Sequence, residues 1–302
     1  MKRVSVILTT YNGENTLKTT IASIQNQVGI NQEFALEIIA VDDCSTDRTV
    51  DVLKSFGLNP ISTQKNTGGP NKGRNIGLKR CTGDYICIVD QDDVWEKNRV
   101  ITMLPYCKNY PIVTSGYTVV DSETNRKSVK INSIENGFLV YEENETFISK
   151  LTKSSRGQHK YLGSIMFSNE LKDVLFEEEY GMVDFDWSLR LFYKRKSVEV
   201  CESLYTRNLS GQSLSFNEVY RENDFRHSLQ CIEDYEKEFP REVALSRLKI
   251  HGSRARYYYV LGDMKKARSY FLKSDLSWKT ILYYFTTFVG HSFVKRRVNV
   301  FG

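Results

Sequence analysis

Tyr85-Ile-Cys-Ile-Val-Asp-Gln-Asp-Asp-Val-Trp95 is the stretch on which the reading of this chain turns. Ile86, Cys87, Ile88 and Val89 form a continuous apolar run, the pattern of a strand covered on both faces. The run stops at three carboxylates, Asp90, Asp92 and Asp93. Carboxylates so close together repel one another unless a cation or a bound ligand compensates. In open α/β sheets, ligands bind just outside the carboxyl ends of the strands. A polar turn capping the next helix is the competing reading, since Asp is common at such positions. On these residues alone the two readings are level.

Working outward, strand and helix signals alternate over the first 120 residues. Residues 4–9 read as a strand, and 15–27 as a helix with Leu17, Ile21 and Ile24 on one face. Residues 36–41 are a second apolar run, closed by Asp42-Asp43. Ser45 or Thr46 can cap a helix over 47–56. A weak strand at 61–64, the loop Asn66-Thr-Gly-Gly-Pro70 and a helix over 71–80 lead to the strand at 85–90, and a helix over 97–107 follows. This rhythm predicts a mostly parallel sheet with right-handed crossovers. Beyond Pro111 the rhythm breaks. Residues 112–120 are strand-like and 121–144 read as an irregular excursion. Helix, strand, helix and helix are expected at 146–151, 162–167, 169–175 and 184–193, then short strand material at 198–206. From about Glu218 the pattern is wholly helical, and 254–271 reads as a helix, a Gly-Asp turn and a second helix, like a single tetratricopeptide-type hairpin.

Composition is that of a soluble globular protein. Six scattered cysteines without a C-x-x-C pair point to reduced thiols and a cytoplasmic setting. The N-terminal apolar run is too short for an export signal and reads as a first strand. Net charge is +5, but residues 241–302 carry thirteen Lys or Arg against three acids, so the preceding 240 residues total −5. A basic tail suits an anionic partner, and it is also what a merely solvated tail looks like. Residues 281–294 are apolar and aromatic and end in Lys295-Arg-Arg297. That run is too short to span a bilayer, but suits a helix lying in the headgroup region, or one packed on the protein's own core.

Four loops follow the four predicted parallel strands and share one sheet edge. They carry Thr9, Thr10, Tyr11 and Asn12; Asp42 and Asp43; Gly68, Gly69, Lys72, Arg74 and Asn75; and Asp90 with Asp92. Together they offer an aromatic face and an acid for a base, cations for phosphate, and carboxylates for a divalent ion. In order and spacing, Val4–Asn12, Val41–Asp47, Gly68–Leu78 and Val89–Asp93 resemble the signature blocks of family 2 glycosyltransferases, over roughly residues 3 to 215. The resemblance implies a GT-A fold: α/β, Rossmann-like, a mostly parallel sheet with flanking helices. Here that would be a domain over 1–215 with a helical C-terminal appendage over 216–302, whose segment 276–302 is the candidate membrane-interface part. It further implies an inverting, metal-dependent enzyme that uses a UDP- or dTDP-linked sugar with Mg²⁺ or Mn²⁺. The acceptor would be a glycan or lipid-linked sugar in bacterial surface-polysaccharide synthesis at the inner membrane face. A nucleic-acid partner is not expected, because the basic residues of the tail lack a recognised binding motif.

Carried over residue by residue, the resemblance puts Thr9 and Tyr11 in the nucleoside pocket, with Tyr11 against the base. Asp43 would accept a hydrogen bond from the base ring, and Arg74 would lie near the base or phosphates. Asp90 would sit near the ribose and the metal's waters, and Asp92 on the ion, leaving Asp93 to cap the helix that follows. Inverting transfer needs a carboxylate to take the acceptor's proton. Val183-Asp-Phe-Asp-Trp-Ser-Leu-Arg190 resembles the family's base segment, which implies Asp184, although Val183 stands where a Glu is usual. Asp186 is a second candidate for the base, but Asp186 and Arg190 are spaced i,i+4 and a simple ion pair between them is the expected reading. A late loop that often holds a His reads Arg207-Asn208 here. His159 is a weaker acceptor-side candidate, Trp187 fits packing first and sugar stacking second, and Trp95 fits either the donor wall or a staple on the next helix. A nucleotidyltransferase and a non-catalytic nucleotide-sugar-binding scaffold are the competing functions. Thr9–Gly13 lacks the cations of the first, and Asp90, Asp92 and Asp184 argue against the second.

Overall fold

The computed structural model describes residues 1–121, 124, 126–132, 137–179, 184–209 and 218–289. The chain falls into two compact units: Met1–Phe147 with Arg156–Arg221, and Ile148–Ser155 with the residues from Glu222 onward.

In chain order the first unit contains β1 (Lys2–Thr10), α1 (Leu17–Gln25), β2 (Phe34–Asp42), α2 (Thr49–Ser55), β3 (Ile61–Ser62), α3 (Asn71–Arg80) and β4 (Tyr85–Asp90). It continues through β5 (Val94–Trp95), α4 (Arg99–Met103), β6 (Ile112–Asp121), β7 (Arg126–Lys130) and β8 (Phe138–Tyr141). After α5 (Glu145–Leu151), which crosses into the second unit, come β9 (Ile165–Ser168), α6 (Asp184–Phe192) and β10 (Ser197–Leu209). The sheet runs β3-β2-β1-β4-β9-β6-β10-β5, with β7 on β6 and β8 on β10. β1 pairs parallel with both β2 and β4, in a register that sets Thr9 beside Val41 and Asp90, and Thr10 beside Asp42. The carboxyl ends of three strands are thereby brought level. Val4, Val6, Ile7 and Leu8 of β1 and Ile86–Val89 of β4 are buried on both faces, which is why neither strand alternates. Helix α3 lies close on β1 because Gly73 and Gly77 share one face. A β-carbon at Gly77 would fall 2.4 Å from Ile7 Cγ2, and one at Gly73 2.9 Å from Thr9 Cγ2.

β9 runs antiparallel to both β4 and β6. Its amino end therefore lies at the edge where β4 ends, and that brings Tyr161, just upstream, to the same edge.

Several expectations are corrected. The 121–144 excursion contains two strands, β7 and β8. Every residue of β7 is exposed, so it carries no apolar alternation to read. The strand material at 198–206 is a 13-residue strand whose pairing with β6 shifts register twice. Val94–Trp95, expected only to lead into a helix, pairs antiparallel with Tyr205 and Thr206. The helix over 97–107 is α4 followed by a 3₁₀ turn over Leu104–Lys108, with Pro105 in its first turn. At 169–175 only a 3₁₀ turn, Asn169–Leu171, forms. Asp47, rather than Ser45 or Thr46, accepts the first-turn amide of α2, from Thr49 at 2.9 Å. Ser45 instead donates to Asp42 at 2.5 Å.

The second unit holds α7 (Glu218–Cys231, which begins in the first), α8 (Pro240–Leu261), α9 (Met264–Phe271) and α10 (Trp278–Thr286). The expected Gly-Asp turn is present. Gly262 ends α8 at φ +83°, a left-handed position that favours glycine, and Asp263 Oδ1 accepts the Lys266 amide at 3.0 Å to start α9. Ala255, Tyr258, Tyr259, Ala267 and Phe271 form the core between α8 and α9.

Candidate functional site

A cleft of about 730 Å³ opens where β1, β2 and β4 end. Thr9, Tyr11, Asp43, Arg74, Asp90, Asp92 and Asp184 all line it, whereas Asp42, Lys72 and Asn75 do not. Arg207, Asn208, Tyr161 and Tyr220 complete the wall.

Arg74 is its electrostatic centre. The residue is only 3% exposed. One guanidinium nitrogen donates to Asp184 Oδ1 at 2.8 Å and the other to Asp90 Oδ1 at 3.0 Å. Its face lies 5.1 Å from the Phe176 ring centroid, a cation–π distance. Burial alone would lower the Arg74 pKa, yet Asp184 and Asp90 outweigh it and raise the guanidinium above its ordinary value. Thus one cation ties the carboxylate heading α6 to the carboxylate ending β4.

The three acids after β4 are unlike one another. Asp90 accepts from Arg74 on one oxygen and from the Tyr161 hydroxyl on the other, at 3.2 Å. Asp92 is pushed up to about 6 by burial and by Asp90, against a weaker pull from Arg207. Asp93 is not a helix cap. It is 1% exposed, it accepts from Tyr205 Oη (2.6 Å) and the Asn208 amide (2.8 Å), and it shares the one Tyr161 hydroxyl proton with Asp90, at 3.2 Å. Burial and the two neighbouring carboxylates push it up to about 8. Asn208 also donates from its side chain to the Asp92 carbonyl at 2.6 Å, so the end of β10 is stitched to the acidic turn. Arg207 stacks on Tyr161 at 4.6 Å from the ring centroid. A cation and an amide thus fill the part of the expected His loop that is described; residues 210–213 lie outside the described residues, as does Val183.

On the nucleoside side, Asp43 Oδ1 accepts from Thr63 Oγ1 (2.7 Å) and Thr67 Oγ1 (2.9 Å), and Oδ2 from the Thr67 amide (3.0 Å). A carboxylate has about four acceptor sites, so a place remains for a ligand donor. Tyr11 is held by its backbone. Its amide donates to Gln91 Oε1 at 2.8 Å, and Gln91 Nε2 donates to its carbonyl at 2.9 Å.

The structure does not bring the remaining candidates into the cleft. His159 pairs through Nδ1 with the fully buried Glu199 at 2.5 Å, fixing the segment that carries Tyr161. Trp187 donates to the Val174 carbonyl at 2.8 Å and stacks on Phe176, as packing requires. Asp186 pairs with Arg190 at 2.5 Å. Trp95 is buried under the Arg99 guanidinium, at 4.9 Å, and so packs on the following helix. The residues missed from sequence are Tyr161, Tyr205, Gln91 and Tyr220. Gln91 reads as a mere spacer between two acids, and Tyr161 arrives only because β9 is antiparallel.

Among the described residues no set of three or more His, Cys, Asp or Glu could by itself enclose a metal ion. Asp90 and Asp92 do suit a divalent cation that draws its other ligands from a diphosphate and water, the usual habit of Mg²⁺. Burial first and the Asp90 carboxylate second hold Asp92 above the ordinary Asp value.

The protein-family model for glycosyl transferase family 2 matches residues 5–170. The poly(ribitol-phosphate) β-N-acetylglucosaminyltransferase TarP of Staphylococcus aureus is 28% identical over 240 residues, covering 73% of this chain and 72% of its own length. TarS of the same species is 37% identical over 101 residues, yet that match spans only 17% of the TarS length. Glycosyltransferase GlyG of Streptococcus pneumoniae is 24% identical over 90% of this chain and 91% of its own. Among solved structures, S. aureus TarS 1–349 in complex with UDP-GlcNAc superposes with a TM-score of 0.63 at 17% identity, covering 98% of this chain and 92% of that one. A mannosyltransferase of Pyrobaculum calidifontis in complex with GDP-Man and Mn²⁺ gives 0.57 at 12% identity, covering 99% and 88%. These likenesses establish the GT-A fold with a helical C-terminal region. Since the family model covers more than half of its residues, the chain belongs to glycosyl transferase family 2.

Proposed function

We propose that this protein transfers a sugar from a nucleotide-sugar to a hydroxyl of a cell-surface glycan, with inversion at the anomeric carbon. The observation that carries the reading is the Arg74 bridge between Asp184 and Asp90. It sets a half-exposed carboxylate at the head of α6 against the acidic turn, with a fixed cation between them. Asp184 takes the proton of the acceptor hydroxyl. The acceptor oxygen forms its bond to the anomeric carbon on the face opposite the departing diphosphate, which leaves with the electron pair of the broken C–O bond. Arg74 and Arg207 supply positive charge where the diphosphate gathers negative charge. Thr9, Tyr11 and Asp43 hold the nucleoside. A divalent cation, when held by Asp92 and Asp90, adds Lewis-acid stabilisation of the leaving group.

The TarS and TarP relatives favour a UDP-linked N-acetylhexosamine as donor, while the mannosyltransferase has the same fold with a GDP-sugar. A screen of UDP-, dTDP- and GDP-sugars with Mg²⁺ or Mn²⁺, read by release of nucleoside diphosphate, tests the reading. Turnover with one donor is expected, with loss after chelation and in Asp92→Ala and Asp184→Asn. Full activity in Asp184→Asn would remove Asp184 as the base.

A further inference from the structure

Helix α10 is amphipathic in the wrong sense for a helix that only closes a soluble unit. Its inward face carries hydroxyls: Thr280 and Thr287 are buried, Tyr259 hydrogen-bonds Thr286 at 2.7 Å, and Tyr283 stacks on Phe271. Its outward face is apolar. Trp278 is 70% exposed, Phe285 63% and Phe288 62%, with Ile281, Leu282 and Val289 exposed between and beside them. Spacings of three and four put these residues on one stripe, which runs past the helix end into the turn at 288–289. An exposed apolar stripe of this size marks an interaction surface. No helix among the described residues is long and apolar enough to cross a membrane.

Charge identifies the occupant. From Met264 to the C-terminus the chain has eight Lys or Arg and one acid. Cations flank both ends of the stripe. Lys279 Nζ lies 5.9 Å from the Trp278 ring centroid, and the Arg268 guanidinium lies 4.7 Å from that of Phe288 while one of its nitrogens donates to the Thr287 carbonyl at 3.0 Å. A second copy of this surface would bring like charges together. A nucleic acid would meet aliphatic Ile281 and Leu282 at the centre, on which bases gain no stacking. Aromatic and aliphatic side chains edged by cations match a bilayer interface with anionic headgroups.

We propose that α10 docks the protein on an anionic lipid surface, with Trp278, Ile281, Leu282, Phe285, Phe288 and Val289 entering the headgroup region. The inference is independent of the catalytic reading. The helix lies flat, with its hydroxyl face toward α8 and α9 and its apolar stripe in the lipid.

The protein carries its own reporter. Of three tryptophans, Trp95 and Trp187 are buried and Trp278 is exposed, so a change in emission on docking comes from Trp278. The full chain is titrated with vesicles of phosphatidylcholine alone or mixed with phosphatidylglycerol, following emission and co-sedimentation. The expected result is a blue shift and sedimentation with the anionic vesicles, weakening as salt rises. Leu282→Asp with Phe285→Asp should lower that binding at least about tenfold, because charge is placed in the inserted stripe. Both positions face solvent, so the urea midpoint should stay at the wild-type value. No binding to anionic vesicles, an unmoved Trp278 emission, or unchanged binding by the double variant would overturn the proposal. So would a wild-type oligomer that the double variant converts to monomer without loss of vesicle binding, which would make the stripe a subunit interface.

Discussion

Replacing Arg74 with Met keeps much of the apolar stem of the side chain and removes its charged, hydrogen-bonding head. Two carboxylates then lose the cation between them, at 2.8 and 3.0 Å. Removing one partner of a fully buried pair costs about 3–5 kcal/mol, because a charge is stranded. Here the stranded side chains are 31% (Asp90) and 41% (Asp184) exposed, so water recovers part of that, and about 2–3 kcal/mol is expected. Loss of the contact with Phe176 adds roughly 0.5–1 kcal/mol, which Met packing partly returns. Equilibrium urea unfolding at neutral pH in chelator measures the loss, and a double-mutant cycle with Asp184→Asn isolates the Arg74–Asp184 coupling at about 1–2 kcal/mol. Arg74→Lys should recover less than half, since an ammonium lacks the rigid fork that gives each carboxylate its own nitrogen and the planar face that stacks on Phe176. If Arg74→Met unfolds within about 0.5 kcal/mol of wild type, or the cycle is additive, the bridge is not a structural tie and the reasoning fails.

Three further predictions concern the same cleft. In chelator, stability should fall as pH rises: with Asp93 raised to about 8, the folded state binds a proton that the unfolded state has released above the ordinary Asp value. That proton contributes a downward slope on the order of 1 kcal/mol per pH unit above the ordinary Asp range, which Asp93→Asn should remove; parallel urea-midpoint profiles for the two proteins would contradict it. Gly163→Ala should destabilise by roughly 1–3 kcal/mol in thermal or urea unfolding, because its β-carbon would fall 2.1 Å from Cζ of the Tyr205 ring. Tyr220 lines the cleft, and its hydroxyl lies 3.4 Å from where a β-carbon at Gly68 would stand. Tyr220→Ala should therefore weaken nucleoside diphosphate binding by calorimetry, by roughly 1 kcal/mol, and raise the donor KM more than it lowers kcat; an unchanged affinity would remove Tyr220 from the site.

The parallel half of the sheet was legible because β1 and β4 are buried on both faces and the loops after its strands carry glycine, Asp and Asn in fixed order. Apolar runs such as Ile86–Val89 admit little but a covered strand, and Gly73 with Gly77 signals close helix packing. The antiparallel half was not legible. β7 is exposed at every residue, and the turn of direction at β9 leaves no local trace, since a strand's sense is set by its neighbours. Asp93 was misjudged for the same reason. Its three hydrogen-bond partners, Tyr161, Tyr205 and Asn208, lie 68 to 115 residues further along the chain. Local pattern shows an Asp before a helix, and only the fold supplies the two hydroxyls and the amide that engage it.

Gln91 stands between Asp90 and Asp92, where sequence reading allots a spacer. Its amide instead grips both backbone groups of Tyr11, and the absence of a side chain on Gly13 makes room for it: a β-carbon there would fall 2.5 Å from Gln91 Oε1. The wall that faces a bound nucleoside and the turn that would hold a cation therefore move as one lever. Nucleoside and cation should then show positive linkage, each binding more tightly in the presence of the other by the same factor. That factor should shrink in Gln91→Ala.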